Sequence, residues 1–225
     1  LENTLPKKYD RPELKYSLGK IVDAFSDVDT ATYSTSFDLL SHTYEYYMSR
    51  LSGSRTIGNH EYFTLSSIAK IMLNILLPDK GSVYDPCCGT GSLFFQLIDH
   101  IKIHNGNLSN ITLFGQESNP SSWKIAKMNL ALQGVSADLG SYAADTFCSD
   151  QHSSLHADYI LANPPFNQFL EKHTLHSGDI RWQYGIPREG NANYAWLQHM
   201  IFHLSPTGKM AAVMSNGSLT SNIRG

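Results

Sequence analysis

Four short apolar runs, each broken off by turn residues and separated from the next by a helical stripe, constrain this chain more than any other feature. They are GSVYDP (81–86), ITLFGQE (111–117), ADYILANPP (157–165) and KMAAVMSNG (209–217). Their length and their Ile, Leu, Val, Phe and Tyr content read as strands. Between and before them lie segments of helical period: 66–77, 92–104, PSSWKIAKMNLALQG (120–134) with Pro120 near its start and Gly134 at its end, and NANYAWLQHMIFHL (191–204). A further strand is expected to end at Asp145, in YAADTF. Strands alternating with helices predict an α/β fold with a doubly wound, mostly parallel sheet covered on both faces.

The first 60 residues read as helical. PELKYSLGKIVDAF (12–25) carries Leu14, Leu18, Ile21, Val22 and Phe25 at helical spacing, and FDLLSHTYEYYMSRL (37–51) does the same with Leu40, Tyr44, Tyr47 and Leu51. SGSRTIGNH (52–60) is a Gly/Ser/Asn linker. The expected organisation is an N-terminal helical segment, residues 1–60, and a main domain, 61–225, whose C-terminal part is incomplete. The chain does not open on Met and reads as a fragment.

Composition excludes several classes. With 41% hydrophobic and 16% charged residues the chain is globular rather than disordered. The longest apolar stretch, IAKIMLNILL (68–77), is interrupted by Lys70 and Asn74, and no signal peptide opens the sequence, so no membrane association and a cytosolic location are expected. Of three cysteines, Cys87 and Cys88 are adjacent and Cys148 stands apart, which builds neither a disulfide framework nor a zinc knuckle. Among ten histidines, His100/His104 and His152/His156 have i,i+4 spacing without the Glu of H-E-x-x-H, and read as solvated surface residues. No metal is expected. A net charge of −3 supplies no global attraction to nucleic acid.

The run Asp85-Pro86-Cys87-Cys88-Gly89-Thr90-Gly91 places a tight turn between a strand and a helix, at the strand's carboxyl end. That edge is where such sheets bind ligands. Glycines let a ligand approach the backbone, and the helix that follows offers free N–H groups. A dinucleotide would require a third glycine where Phe94 stands, and Asp85 would repel its pyrophosphate. A nucleoside triphosphate would require the Walker lysine, which is missing. S-adenosylmethionine fits the charges best, with an acid for its amine, and N–H groups plus Thr90 for its carboxylate. Glu117 ends the second strand and suits either a ribose diol or the dipole of the next helix. Asp145 suits either an adenine amine or an ordinary loop. The Asn163-Pro164-Pro165-Phe166 sequence stops a buried strand abruptly, since proline removes the ladder donor and fixes φ.

DPCCGTG, GQESNPSSWKIAKMNLALQG and NPPF, in that order, resemble the N6-adenine DNA methyltransferases, and most closely the modification subunit of type I restriction-modification systems. YEYYMSRL and HEYFT (within 44–64) are similar to that family's lead-in, and DIRWQYGIPREGNANYAWLQHMIFHLSPTGKMAAVMSNGSL (179–219) to its continuation after the catalytic strand. The resemblance implies a class I S-adenosylmethionine-dependent methyltransferase fold and site-specific N6-adenine methylation of double-stranded DNA. Its expected partners are a specificity subunit, a second modification subunit and a restriction subunit. It places Thr64 at the cofactor carboxylate, with Glu61, Tyr62 and Phe63 shaping the pocket. Asp85, Pro86, Gly89, Thr90 and Gly91 form the cofactor turn, Glu117 lies on the ribose and Asp145 near the adenine. Asn163, Pro164, Pro165 and Phe166 form the catalytic motif: the Asn163 oxygen and the Pro164 carbonyl accept the N6 protons of a base turned out of the duplex, and Phe166 stacks on it.

Leu65 departs from the family's usual proline, Cys88 from its usual small residue, and SLTSNIRG (218–225) is shorter than expected before the next helix. The same turn also serves enzymes that methylate RNA amino groups or a protein glutamine, and a non-catalytic cofactor-binding scaffold is the reading from another class. Lys172, Arg181 and Arg188 are candidates for phosphate contact, with a solvated or partner-facing loop the stronger expectation.

Overall fold

The computed structural model describes residues 66–170 and 178–218, together with Thr64 and the separate positions Lys20 and Asp23. The chain divides into two units, Leu1–Gly58 and Asn59–Gly225. Of the helices expected before residue 60, only Lys20 and Asp23 are described, both helical and exposed, and the rest lies outside the described residues; the sheet belongs to the second unit.

Its elements are α1 (Ser66–Leu76), β1 (Gly81–Asp85), α2 (Ser92–Ile103), β2 (Ile111–Gly115), α3 (Pro120–Leu132), β3 (Ala137–Asp138), β4 (Ala157–Ala162), α4 (Asn193–Phe202) and β5 (Leu204–Ala212). The strands lie in the order β3-β2-β1-β4-β5 and every pairing is parallel. From β1 the chain winds outwards through β2 to β3, then returns to lay β4 against the other side of β1 and winds outwards to β5. The reversal therefore falls between β1 and β4, where the loops after the two strands diverge and leave a crevice.

Alternation along the strands sorts the core into two layers. Val83, Leu113 and Leu161 pack with Leu73 and Leu76 of α1, Phe94, Leu97 and Ile98 of α2, and Ala126 and Leu130 of α3. Tyr84, Ile160 and Ala162 face the other way, onto Ala195, Trp196 and Met200 of α4. α3 begins as its sequence suggests: Pro120 is its first residue, and the Asn119 side chain accepts from the Ser121 and Ser122 amides.

Three expectations are corrected. The strand expected to end at Asp145 is only Ala137–Asp138, paired with Leu113 and Phe114. Beyond it Asp138, Asp145 and Asp150 each accept the amide two residues on, and these local turns replace a ladder. β5 starts at Leu204 rather than Lys209, because Leu204 pairs with Ala157 and Lys209 with Tyr159, so that Pro206 and Gly208 fall in a bulge rather than a turn. His152 is buried, and its Nε2 donates to the Gly115 carbonyl at 2.9 Å, while His156 is exposed.

His152 belongs to a buried polar layer beneath Tyr84. Arg181 Nη1 donates to His199 Nδ1 at 3.3 Å, which leaves the ring proton on Nε2, 3.1 Å from the Tyr84 hydroxyl. Burial first, then the charges of His203 and Arg181 against the opposing Asp150, hold His199 well below the usual histidine range. His203 faces the Leu155 carbonyl and the Asp150 carboxylate, each at 2.9 Å. No helix of the described residues is long and apolar enough to cross a membrane.

β2 ends where its backbone is pressed from three sides. A Cβ on Gly115 would lie 2.8 Å from Leu139 Cδ2, 3.1 Å from Phe94 Cε2 and 3.2 Å from Cys88 Sγ. Gly115→Ala is expected to cost about 1–3 kcal/mol, read as a lowered urea midpoint with an unchanged m-value.

Candidate active site

The loop after β1 stays bonded to the neighbouring strand end. Cys88 N donates to the Gln116 carbonyl at 2.9 Å and Gln116 N to the Asp85 carbonyl at 3.0 Å, so Pro86, which has no donor, leaves no gap. Gly89 and Gly91 take φ of +56° and +87°, a conformation costly for other residues. A Cβ on Gly89 would meet nothing within 4 Å, so this peptide faces open space; one on Gly91 would sit 3.7 Å from Ala126, where α2 and α3 approach. Gly91 caps α2 without a side chain, so the first amides of α2 have no side-chain acceptor from the cap. Asn129 of α3 is buried and donates to the Thr90 carbonyl at 3.1 Å, which holds the turn in place.

Two carboxylates meet this turn. Asp85 is 1% exposed, with Oδ1 accepting from Cys87 N at 3.0 Å. Burial pushes its carboxyl up to about 7; the Cys87 bonds oppose the rise and the charge of Glu117 adds to it. Glu117 is half-buried, with Oε2 on Gly89 N at 3.0 Å and Oε1 on Asn119 N at 2.6 Å. Each oxygen of such a carboxylate has a second acceptor direction. Burial also pushes the Cys88 thiol well up, so it is not a thiolate nucleophile at neutral pH.

Asp145 stands beside the same edge. Ala144 N donates to the Glu117 carbonyl at 2.9 Å, Thr146 Oγ1 donates to the Pro86 carbonyl at 2.6 Å, and Asp145 Oδ1 accepts from Phe147 N and Cys148 N. The fully buried Gln116 fixes this loop, with Nε2 on the Ala144 and Ser149 carbonyls and Oε1 on Gln151 N.

Asn163 follows β4 at once. β1 and β4 are parallel neighbours, paired Val83 to Tyr159 and Tyr84 to Ile160, so Asp85 and Asn163 emerge on one edge of the sheet. The Asn163 Nδ2 donates to Thr64 Oγ1 at 3.1 Å, and its Oδ1 is buried with no hydrogen-bond partner among the described residues. A buried acceptor without a donor is costly unless a ligand supplies one. Pro164 is buried; Pro165 and Phe166 are half-buried. Asn167 then turns the chain back with φ +54°, which asparagine tolerates better than most residues.

Some of the bracing residues were not legible as such. Asn167 N donates to Asn193 Oδ1 at 2.9 Å, while Asn191 and Asn193 donate to Asn167 Oδ1 at 3.2 and 3.0 Å. This clasp gives NANY a purpose that its helix-start position alone did not suggest. Arg181 corrects an expectation: it is 8% exposed, neither solvated nor free for phosphate. Its guanidinium binds both oxygens of Asp179 and the Thr146 and Phe147 carbonyls, joining the segment after the Asn163–Phe166 turn to the Asp145 loop. Arg188 is exposed; Lys172, Glu61, Tyr62 and Phe63 lie outside the described residues.

A family described as N-6 DNA Methylase matches residues 35–224. The chain belongs to the N-6 DNA methylase family. Over 82% of its length it is 46% identical to the methylase subunit of the type I restriction enzyme HindI from Haemophilus influenzae, of which it covers 42%. Among solved structures, a type I restriction-modification methyltransferase subunit from Streptococcus thermophilus superposes with a TM-score of 0.75 at 26% identity, covering 96% of this chain and 47% of that one. A Listeria monocytogenes protein described as a class I S-adenosylmethionine-dependent methyltransferase shares the fold, with a TM-score of 0.72 at 14% identity, covering 98% of this chain and 66% of that one. The chain thus spans less than half the length of the Haemophilus and Streptococcus relatives it matches. The fold of this chain is that of the class I S-adenosylmethionine-dependent methyltransferases.

The edge fits that cofactor chemically. A buried acid whose ionisation is opposed by burial suits an ammonium group and not a pyrophosphate, and a peptide facing open space suits close approach of a ligand. Among the described residues one group could ligate a metal: Asp150, His199 and His203, with ligand atoms within 4.8 Å of one another. Both His203 nitrogens face acceptor oxygens and His199 Nδ1 faces a guanidinium, so these atoms are committed to hydrogen bonds as the layer stands.

The Arg181–Asp179 contact, 2.6 Å long with both side chains largely buried, gives a test of the bracing. Arg181→Met is expected to lower stability by about 3–5 kcal/mol, as for a buried pair that loses one partner, measured by denaturant unfolding.

Proposed function

We propose that this chain is the cofactor-binding and catalytic part of a type I modification subunit, which transfers a methyl group to the N6 amine of an adenine turned out of double-stranded DNA. The observation that carries the reading is the buried, unpartnered Asn163 Oδ1, on the same sheet edge as the Gly89–Gly91 turn. Family membership and the names of the relatives support it.

S-adenosylmethionine, when bound, supplies an electrophilic sulfonium methyl. Asp85 holds its amine, Thr90 and the first amides of α2 its carboxylate, Glu117 its ribose hydroxyls and Asp145 its adenine amine. Thr64, with Glu61, Tyr62 and Phe63, borders the methionine end. No metal takes part. Adenine N6 is a poor nucleophile because its lone pair is delocalised into the ring. The Asn163 Oδ1 and the Pro164 carbonyl each accept an N6 proton, which aims the lone pair and stabilises the positive charge that develops on nitrogen. Phe166 stacks on the extruded base. After transfer the surplus proton passes to water. A separate specificity subunit reads the DNA site within a cytoplasmic assembly that holds a second modification subunit and, for cleavage, a restriction subunit.

The direct test incubates the full-length chain and its co-purifying specificity subunit with labelled S-adenosylmethionine and DNA, then digests the DNA and looks for N6-methyladenine. Asn163→Ala is expected to lower transfer by about 10²- to 10³-fold while cofactor affinity changes little; an equal loss of both would make Asn163 a structural residue. Asp85, at about 7 without a cation beside it, must ionise to hold the amine. Cofactor affinity is therefore expected to rise about tenfold per pH unit below 7 and to level off above it. Calorimetry that found a flat affinity across this range would remove Asp85 from the amine.

A further inference from the structure

We infer that Thr64 is a positioning residue, which fixes the Asn163 side-chain amide with its oxygen, rather than its nitrogen, towards the reacting amine. The inference rests on the role proposed for Asn163 in methyl transfer and adds the device that gives its amide one orientation.

A primary amide has two ends of nearly equal size and opposite hydrogen-bonding character. The asparagine terminal torsion is broad and roughly two-fold, so the side chain itself barely prefers one orientation. The wrong orientation presents N–H donors to an amine that needs acceptors. Some other contact must decide between the two.

Elsewhere in this chain the oxygen of such a side chain is taken locally. Asp85, Asp138, Asp145, Asp179, Asn119 and Asn191 each accept the amide two residues on. Asn163 has no such option. The next two residues are Pro164 and Pro165, neither of which has an N–H, and its Oδ1 is indeed without a partner. The proline pair thus does more than stop β4: it keeps the acceptor uncommitted. What remains is to hold the other end. Thr64 Oγ1 does this, accepting from Nδ2 at 3.1 Å across 99 positions of sequence, and Thr64 is only 5% exposed. A hydroxyl can accept from the nitrogen or donate to the oxygen; with its proton given to the carboxylate of the cofactor, Thr64 Oγ1 is left as an acceptor only, and together with the denial of local donors this leaves one orientation.

The test uses the full-length chain assembled with the subunits that co-purify with it. Thr64→Val keeps the shape and removes the hydroxyl; Thr64→Ser keeps the hydroxyl. The expected result is a single-turnover methyl-transfer rate at saturating cofactor about 10- to 100-fold lower in Thr64→Val, a loss that exceeds any loss of cofactor affinity, with Thr64→Ser close to wild type. In an Asn163→Ala background, Thr64→Val should cost almost nothing further. If Thr64→Val instead weakens cofactor binding and turns over normally at saturation, the hydroxyl serves the cofactor alone and the inference fails. An active Thr64→Val with unchanged affinity also overturns it. Should Thr64→Val misfold, Thr64→Ala, which leaves space rather than a buried mismatch, carries the same measurements. A wild-type assembly that leaves adenine unmodified would remove the proposed role of Asn163 and this inference with it. That outcome is distinct, because wild type and variant would then fail alike.

Discussion

The parallel pairing of β1 with β4 is the contact on which the rest of the site depends. It joins the two halves of the winding, and its register puts Val83 beside Tyr159 and Tyr84 beside Ile160. Because the strands run the same way, the loop carrying Asp85, Gly89 and Gly91 and the loop carrying Asn163 open onto one crevice. A slip of one residue would turn the side chains of β4 to the opposite faces, moving Leu161 out of the layer it shares with Val83 and Leu73. Fold and site are thus specified by the same apolar alternation.

Along that edge the protein leaves several needs unmet. Among the described residues Asp85 is buried without a cation, Asn163 Oδ1 is buried without a donor, and α2 begins without a side-chain cap. Each is locally unfavourable, and in the proposed function each is answered by a different part of one ligand set: an ammonium group, an exocyclic amine and a carboxylate. Polar groups left unsatisfied at such an edge are the physical counterpart of preorganisation, since groups already in place do not have to reorient when charge develops.

Holding loops in such a state requires rigid support, and here polar groups supply much of it. Gln116 spans the edge between β2 and the Asp145 loop, Arg181 ties that loop to the segment after the Asn163–Phe166 turn, and Asn191 and Asn193 clasp Asn167. Directional bonds set a loop's position more narrowly than apolar contact does. Buried, they are also costly to break singly, which makes the edge one unit rather than a set of independent turns.

Local grammar was enough for the alternation of elements, the stops at Asp85-Pro86 and Asn163-Pro164-Pro165, the glycine turn and the acid after β2. Each of these depends on neighbours a few residues apart, where chain stereochemistry acts. It was not enough for the third strand, where aspartate turns outcompeted a ladder, or for β5, where Pro206 and Gly208 were absorbed into a bulge. Nor could it distinguish His152, His199 and Arg181 from surface residues of the same kind. Their burial depends on partners far along the chain, such as Tyr84 for His199 across 115 positions. The orientation of Asn163 belongs to the same class: the prolines that free its oxygen are adjacent and readable, while the hydroxyl that holds its nitrogen arrives from before α1 and is brought there only by folding.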